Sequence, residues 1–142
     1  MRVMALDIGE ARVGIAVSDE QQTIALPLKV LPFAEVYNNA PSFRYLLQDY
    51  EPECLVCGLP RTKAGELGPW AQKIQQQAQT IAERAGLDLY FVDERLSSAE
   101  AKRILHEQGY HEKQMRGHID MVAASLFLQA WLDAKELNSK EV

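Results

Sequence analysis

Hydrophobic and polar positions alternate or cluster along the chain in a way that predicts a mixed α/β fold. Val3 to Ile8 is almost wholly apolar and reads as a buried strand, and Gly9-Glu10-Ala11 reads as a turn. Arg12 to Ser18 alternates polar with apolar residues, so the first two strands form a hairpin. Thr23 to Leu31 is a third strand, with Pro27 pointing to an edge position or a bulge. Phe43, Leu46, Leu47 and Tyr50 recur at helical spacing and predict a helix over Ser42 to Tyr50. Glu53 to Gly58 is short and apolar enough for a central fourth strand.

The second half is more helical. Ala71, Ile74, Ala78, Ile81, Ala82 and Ala85 make one face of a helix that Pro69 opens and Gly86 stops. Leu87 to Val92 is a fifth strand. Ser97 with Glu100 forms a capping box for another helix, ended by Gly109. A polar stretch, Tyr110 to His118, leads to a last helix from Ile119 to about Lys135. The order βββ-α-β-α-β-α-α implies a five-stranded mixed sheet, its first three strands antiparallel and βα units following, with helices on its faces. No repeat or long linker interrupts it, so residues 1–142 are expected to form one domain.

Composition narrows the function. Hydrophobic residues make up 47% and charged residues 25%, as in soluble globular proteins. The net charge of −5 argues against indiscriminate, charge-driven binding of polyanions. Asp7 comes too early for a signal peptide, and the apolar stretch Met121 to Leu132 is broken by Ser125 and Gln129. It is shorter than the roughly 20 residues of a membrane span. A soluble, cytoplasmic chain with no membrane partner is expected. Cys54 and Cys57 form a C-x-x-C pair inside a strand, where residues three apart face opposite sides; two buried cysteines are expected there, not a redox or zinc site.

Four carboxylates break apolar patterns. Asp7 ends the first strand, and Asp93 and Glu94 follow the fifth, at the carboxyl ends where open α/β sheets bind ligands. Asp120 shares a helix face with Ala123, Ala124, Phe127 and Trp131, where an unpaired carboxylate is costly. Acids converging on one sheet edge repel unless a cation joins them. Oxygen ligands without Cys or His suit Mg²⁺ or Mn²⁺, and two such ions support phosphodiester hydrolysis. A metal-dependent nuclease is therefore the leading expectation.

Two glycine-bearing segments and a basic one could meet nucleic acid. Gly9 and Gly14 stand where a backbone could approach a ligand closely. Gly58 to Gly65, carrying Arg61 and Lys63, runs from strand to helix as an anion-binding loop or as an ordinary βα connection. It lacks the Walker lysine pattern of P-loop NTPases. Arg95 to His118 holds five basic residues, Arg95, Lys102, Arg103, Lys113 and Arg116, against three glutamates, and reads as a phosphate-facing surface or a solvated helix face.

Together, Asp7-x-Gly9-x-x-Arg12-x-Gly14, Gly58-Leu59-Pro60-x-x-x-x-Gly65, Asp93-Glu94-Arg95-Leu96-Ser97 and Ile119-Asp120-x-x-Ala123-Ala124 resemble the YqgF, or RuvX-like, family over roughly Val3 to Leu132. That resemblance implies an RNase H-like fold. It also implies nuclease activity, either in maturing the 5′ end of pre-16S ribosomal RNA or in resolving Holliday junctions. By the resemblance, Asp7 and Asp120 are metal ligands, with Asp93 or Glu94 supplying another carboxylate. Arg12 positions phosphate or the acidic cluster, and the loop from Leu59 and Pro60 to Gly65 approaches the nucleic-acid backbone. Thr62 and His118 depart from the family pattern, which commonly has Asn and a nearby Lys. The implied partners are pre-rRNA or branched DNA and ribosomal precursor particles, met by a monomer or homodimer. A non-catalytic ribosome-assembly factor is the alternative of another class. An actin-like or sugar-kinase ATPase shares the Asp-x-Gly hairpin, but those enzymes clamp nucleotide between two such domains.

Overall fold

A computed structural model describes residues 1–60, 66–93, 103, 104, 106–109 and 118–140, with side chains described to residue 135. The strands are β1 (Val3–Ile8), β2 (Arg12–Ser18), β3 (Ala25–Pro32), β4 (Cys54–Leu59) and β5 (Asp88–Asp93). The helices are α1 (Phe33–Tyr37), α2 (Pro41–Tyr50), α3 (Pro69–Ala85) and α4 (Ile119–Lys140). One sheet runs in the order β3-β2-β1-β4-β5. β1, β2 and β3 pair antiparallel, whereas β4 joins β1 and β5 joins β4 in parallel. This is the mixed five-stranded sheet that the hairpin-then-βα pattern predicts.

Strand alternation divides the core in two. Met4, Leu6, Ile8, Val13, Ile15, Leu55, Cys57 and Leu59 face Val36, Phe43 and the Ile74–Ala82 stripe of α1, α2 and α3. Val3, Ala5, Ala16, Cys54 and Val56 face Ala124, Phe127, Leu128 and Leu132 of α4. Asp120, counted forward, lands on that α4 stripe as its sequence spacing implies. Gln129, which interrupts the apolar run of α4, accepts from the Ala25 N–H at 2.8 Å and donates to the Thr23 carbonyl at 2.9 Å. It ties α4 to the start of β3.

Two local features differ from the sequence reading. β3 begins at Ala25, not Thr23, because the Asp19 carboxylate accepts from the N–H groups of Thr23 and Ile24 and from the Thr23 hydroxyl. That bonding closes a turn over the residues the alternation had given to the strand. α1 was not anticipated; its five residues are too few to display a helical period, and its Phe33 N–H bonds the Ala11 carbonyl at 2.9 Å. Pro27 satisfies both expectations for it: β3 is an edge strand, and its pairing with β2 slips between Ile15 and Ala16, leaving Leu28 as the extra residue. Gly86 ends α3 with φ +70°, a left-handed geometry that favours glycine. The helix expected from Ser97 to Gly109 lies mostly outside the described residues.

Cys54 and Cys57 are buried and not joined in a disulfide, one in each core layer, as their spacing implies. Burial pushes the Cys54 thiol from 9.0 up to about 11. Its folded state therefore holds the proton more tightly than the unfolded chain. The resulting stabilisation is complete below the unfolded pKa and is lost as pH rises from about 9 towards 11. Over that window, denaturant melts of the wild type should lose roughly 2 kcal/mol more than those of Cys54→Ala. Native protein should leave Ellman's reagent unconsumed at neutral pH, and equal losses in the two proteins would contradict this account.

Candidate functional site

The carboxyl ends of β1, β4 and β5 meet at one sheet edge. Leu6 pairs with Cys57, so Asp7 and Gly58 stand at the next level, and Gly58 pairs with Val92. On the other side, Asp7 pairs with Gly14 of β2. Val3 and Ala5 point into the layer under α4, and alternation gives Asp7 the same direction. The positions beside Asp7 on both neighbouring strands are glycines, Gly14 and Gly58.

The start of α4 fills the space above Gly14. A Cβ at Gly14 would lie 2.2 Å from the carbonyl carbon and oxygen of Asp120 and 2.6 Å from the Met121 nitrogen. The close approach that glycine permits here is thus to a helix backbone, not to a ligand as the sequence suggested. It sets Asp120 over the cross-strand partner of Asp7, bringing two of the expected site carboxylates to one face.

Asp120 is half-buried, and burial raises its pKa while the Arg12 guanidinium opposes the rise. Arg12 Nε lies 3.5 Å from Asp120 Oδ2. Arg12 opens β2 on the same face as Gly14 and Ala16. The Gly9 turn holds its backbone, with the Gly9 N–H donating to the Arg12 carbonyl at 2.8 Å. A Cβ at Gly9 would come to 3.0 Å from that oxygen, which accounts for the glycine by turn geometry.

Asp93 occupies the expected strand end but the other face. Leu89 and Phe91 pack with the α3 layer and Val92 with the α4 layer, so alternation turns Asp93 away from Asp7. Leu59 is 3% exposed and packs in the α3 layer, leaving only its backbone for contact with nucleic acid. Pro60 is half-buried. Arg103 is exposed and pairs with Glu107 at 2.8 Å, one helical turn on. Glu94, Arg61, Lys63, Gly65, Arg95, Lys102 and Arg116 lie outside the described residues.

These donors fit a divalent cation. The carboxylates of Asp7 and Asp120 are of the hard oxygen type that such an ion takes, and desolvation of the Asp120 carboxylate favours a positive partner. Among the described residues, no three His, Cys, Asp or Glu side chains converge closely enough to complete a site. Also among them, no helix is long and apolar enough to cross a membrane.

Comparison with known proteins gives a consistent result. Residues 1–134 match the family described as "RuvX: Holliday junction resolvase". A relative from Roseiflexus sp. (strain RS-1) is 38% identical over 134 residues, covering 94% of this chain and 95% of its own. One from Acaryochloris marina (strain MBIC 11017) is 39% identical over 132 residues, covering 93% and 92%. Both bear the name "Putative pre-16S rRNA nuclease". Among solved structures, the chain resembles T. thermophilus RuvC in complex with a Holliday junction substrate, with a TM-score of 0.55, 16% identity and 96% of each chain covered. It also resembles the fowlpox virus resolvase with Holliday junction DNA, with a TM-score of 0.57, 11% identity and 95% and 99% covered. At such identities the likeness establishes the RNase H-like fold.

Proposed function

Because this chain belongs to the RuvX, or YqgF, family, we propose that it is a divalent-metal-dependent nuclease acting in 5′-end processing of pre-16S ribosomal RNA in the cytoplasm. The observation that carries this reading is the seating of Asp120 on Gly14, beside Asp7, at the carboxyl edge of the sheet.

On this reading Asp7 and Asp120 hold Mg²⁺ or Mn²⁺, with a third carboxylate from the end of β5. Two such ions would supply an activated water and charge stabilisation at a phosphodiester. The chain's own contribution is placement. Gly14 fixes the start of α4 and the Gly9 turn fixes the root of Arg12; Pro60, Arg61, Lys63 and Gly65, which follow β4 in the sequence, are the proposed contacts to the nucleic-acid backbone. Arg95, Lys102, Arg103 and Arg116 are proposed as further phosphate contacts on the basis of their charge.

Asp93 lies on the face away from Asp7, which leaves Glu94 as the proposed third carboxylate. Glu94→Gln should therefore lower cleavage on the order of 10²-fold or more, and Asp93→Asn by less than about tenfold. Single-turnover assays of the two variants check this, and the reverse ranking would reassign the ligand.

Resolution of four-way DNA junctions is the second reading, favoured by the description of the matched family. It needs two sites related by symmetry, hence a dimer. The deciding experiment offers purified protein a 5′-extended precursor of 16S RNA, a four-way junction and duplex DNA, each with Mg²⁺ or Mn²⁺. Trimming of the precursor with the junction left intact supports the RNA reading. Symmetric junction cleavage with the precursor untouched replaces it.

A further inference from the structure

Arg12 holds a place that a metal-binding site should not leave to a side chain. Its guanidinium stands 3.5 Å from Asp120, about half-exposed, while the Asp120 side chain is only 28% exposed. Its backbone is fixed on both sides: the Arg12 carbonyl accepts from Gly9, and the neighbouring Ala11 carbonyl accepts from Phe33 at 2.9 Å. Only the long side chain is free to move, and it starts from a carboxylate that, on the reading above, also binds a dication. A guanidinium and a divalent ion on one carboxylate repel each other, which weakens the arginine's hold on Asp120 once the ion is bound. The planar five-donor fork so loosened pairs well with a phosphate.

We propose that Arg12 is a latch on Asp120, neutralising that carboxylate in the metal-free protein and transferring to a substrate phosphate as the cation binds. The inference rests on the cation site proposed above. It makes Arg12 a positioning residue that couples metal binding to nucleic-acid binding. By linkage, whatever nucleic acid does for metal affinity through this arginine, metal does equally for nucleic-acid affinity.

The test measures Mn²⁺ affinity directly, from the signal of free Mn²⁺ in electron paramagnetic resonance. It uses the full chain as wild type, Arg12→Gln, Arg12→Lys and Asp120→Asn. With Mn²⁺ alone, Arg12→Gln should bind about three- to fivefold more tightly than wild type, the worth of a partly screened ion pair. Arg12→Lys, which keeps the charge and guards against a folding defect in Arg12→Gln, should fall between them. Asp120→Asn should bind more weakly than all three. A short phosphorothioate oligoribonucleotide, resistant to cleavage, should then tighten Mn²⁺ binding more in wild type than in Arg12→Gln. Equal or weaker Mn²⁺ binding by Arg12→Gln, or an equal gain from the oligonucleotide in both, overturns the latch while leaving the cation site standing. Absence of Mn²⁺ binding in wild type, or unchanged binding in Asp120→Asn, overturns the site and the latch together.

Discussion

Asp7→Asn is expected to reduce phosphodiester cleavage on the order of 10³-fold, equivalent to about 4 kcal/mol of transition-state stabilisation. The substitution keeps the shape of the side chain and removes its charge. Asp7 sits at the end of a strand paired on both sides and is flanked by Gly14 and Gly58, so an amide of the same size disturbs no packing. The melting temperature without metal should therefore stay within a few degrees of wild type. Stabilisation by added Mn²⁺, present in wild type, should be lost, since a ligand raises stability only in proportion to its binding. An active Asp7→Asn protein, purified free of contaminating nuclease, would remove Asp7 from the site.

Gly14→Ala is expected to be strongly destabilising. The new Cβ would meet the carbonyl of Asp120 at 2.2 Å, against backbone on both sides. β2 cannot yield, because it pairs with β1 and β3. α4 can retreat only by loosening Ala124, Phe127, Leu128 and Leu132 from the sheet. Overpacking of this kind costs about 3 kcal/mol, or ~10 °C in melting temperature for a domain of this size. Cleavage should fall with it, because Asp120 moves with the helix. Gly86→Ala is the contrasting control: nothing lies within 4 Å of its Cβ, and its φ of +70° alone should cost about 1 kcal/mol. Equal melting temperatures for the two variants would show that α4 does not rest on Gly14.

The carboxylates were legible in the sequence because each interrupts an apolar pattern whose period is known. Asp7 is the one acid in Val3–Ile8, and Asp120 lies three, four and seven residues before Ala123, Ala124 and Phe127 on a buried helix face. The same reasoning separated Cys54 from Cys57, since an odd spacing on a strand sends the two thiols to different layers. What local pattern could not supply was contact across the chain. Nothing near Gly14 announces that a helix starting more than 100 residues later rests on it. Nothing near Gln129 announces a bond to Thr23 and Ala25. The face on which Asp93 lies follows from what packs against Phe91 and Val92 and not from the local sequence. The turn made by Asp19 and the short α1 were missed because side-chain hydrogen bonds and single helical turns leave no period to read.

The central claim, that Asp7 and Asp120 form one divalent-cation site, is tested most directly by crystallography with Mn²⁺. Crystals of the wild-type protein soaked in Mn²⁺ should show an anomalous difference peak coordinated by carboxylate oxygens of both residues. Crystals of Asp7→Asn treated alike should show it weakened or gone. Mn²⁺ bound elsewhere, with these two carboxylates uncoordinated in well-ordered density, would contradict the account.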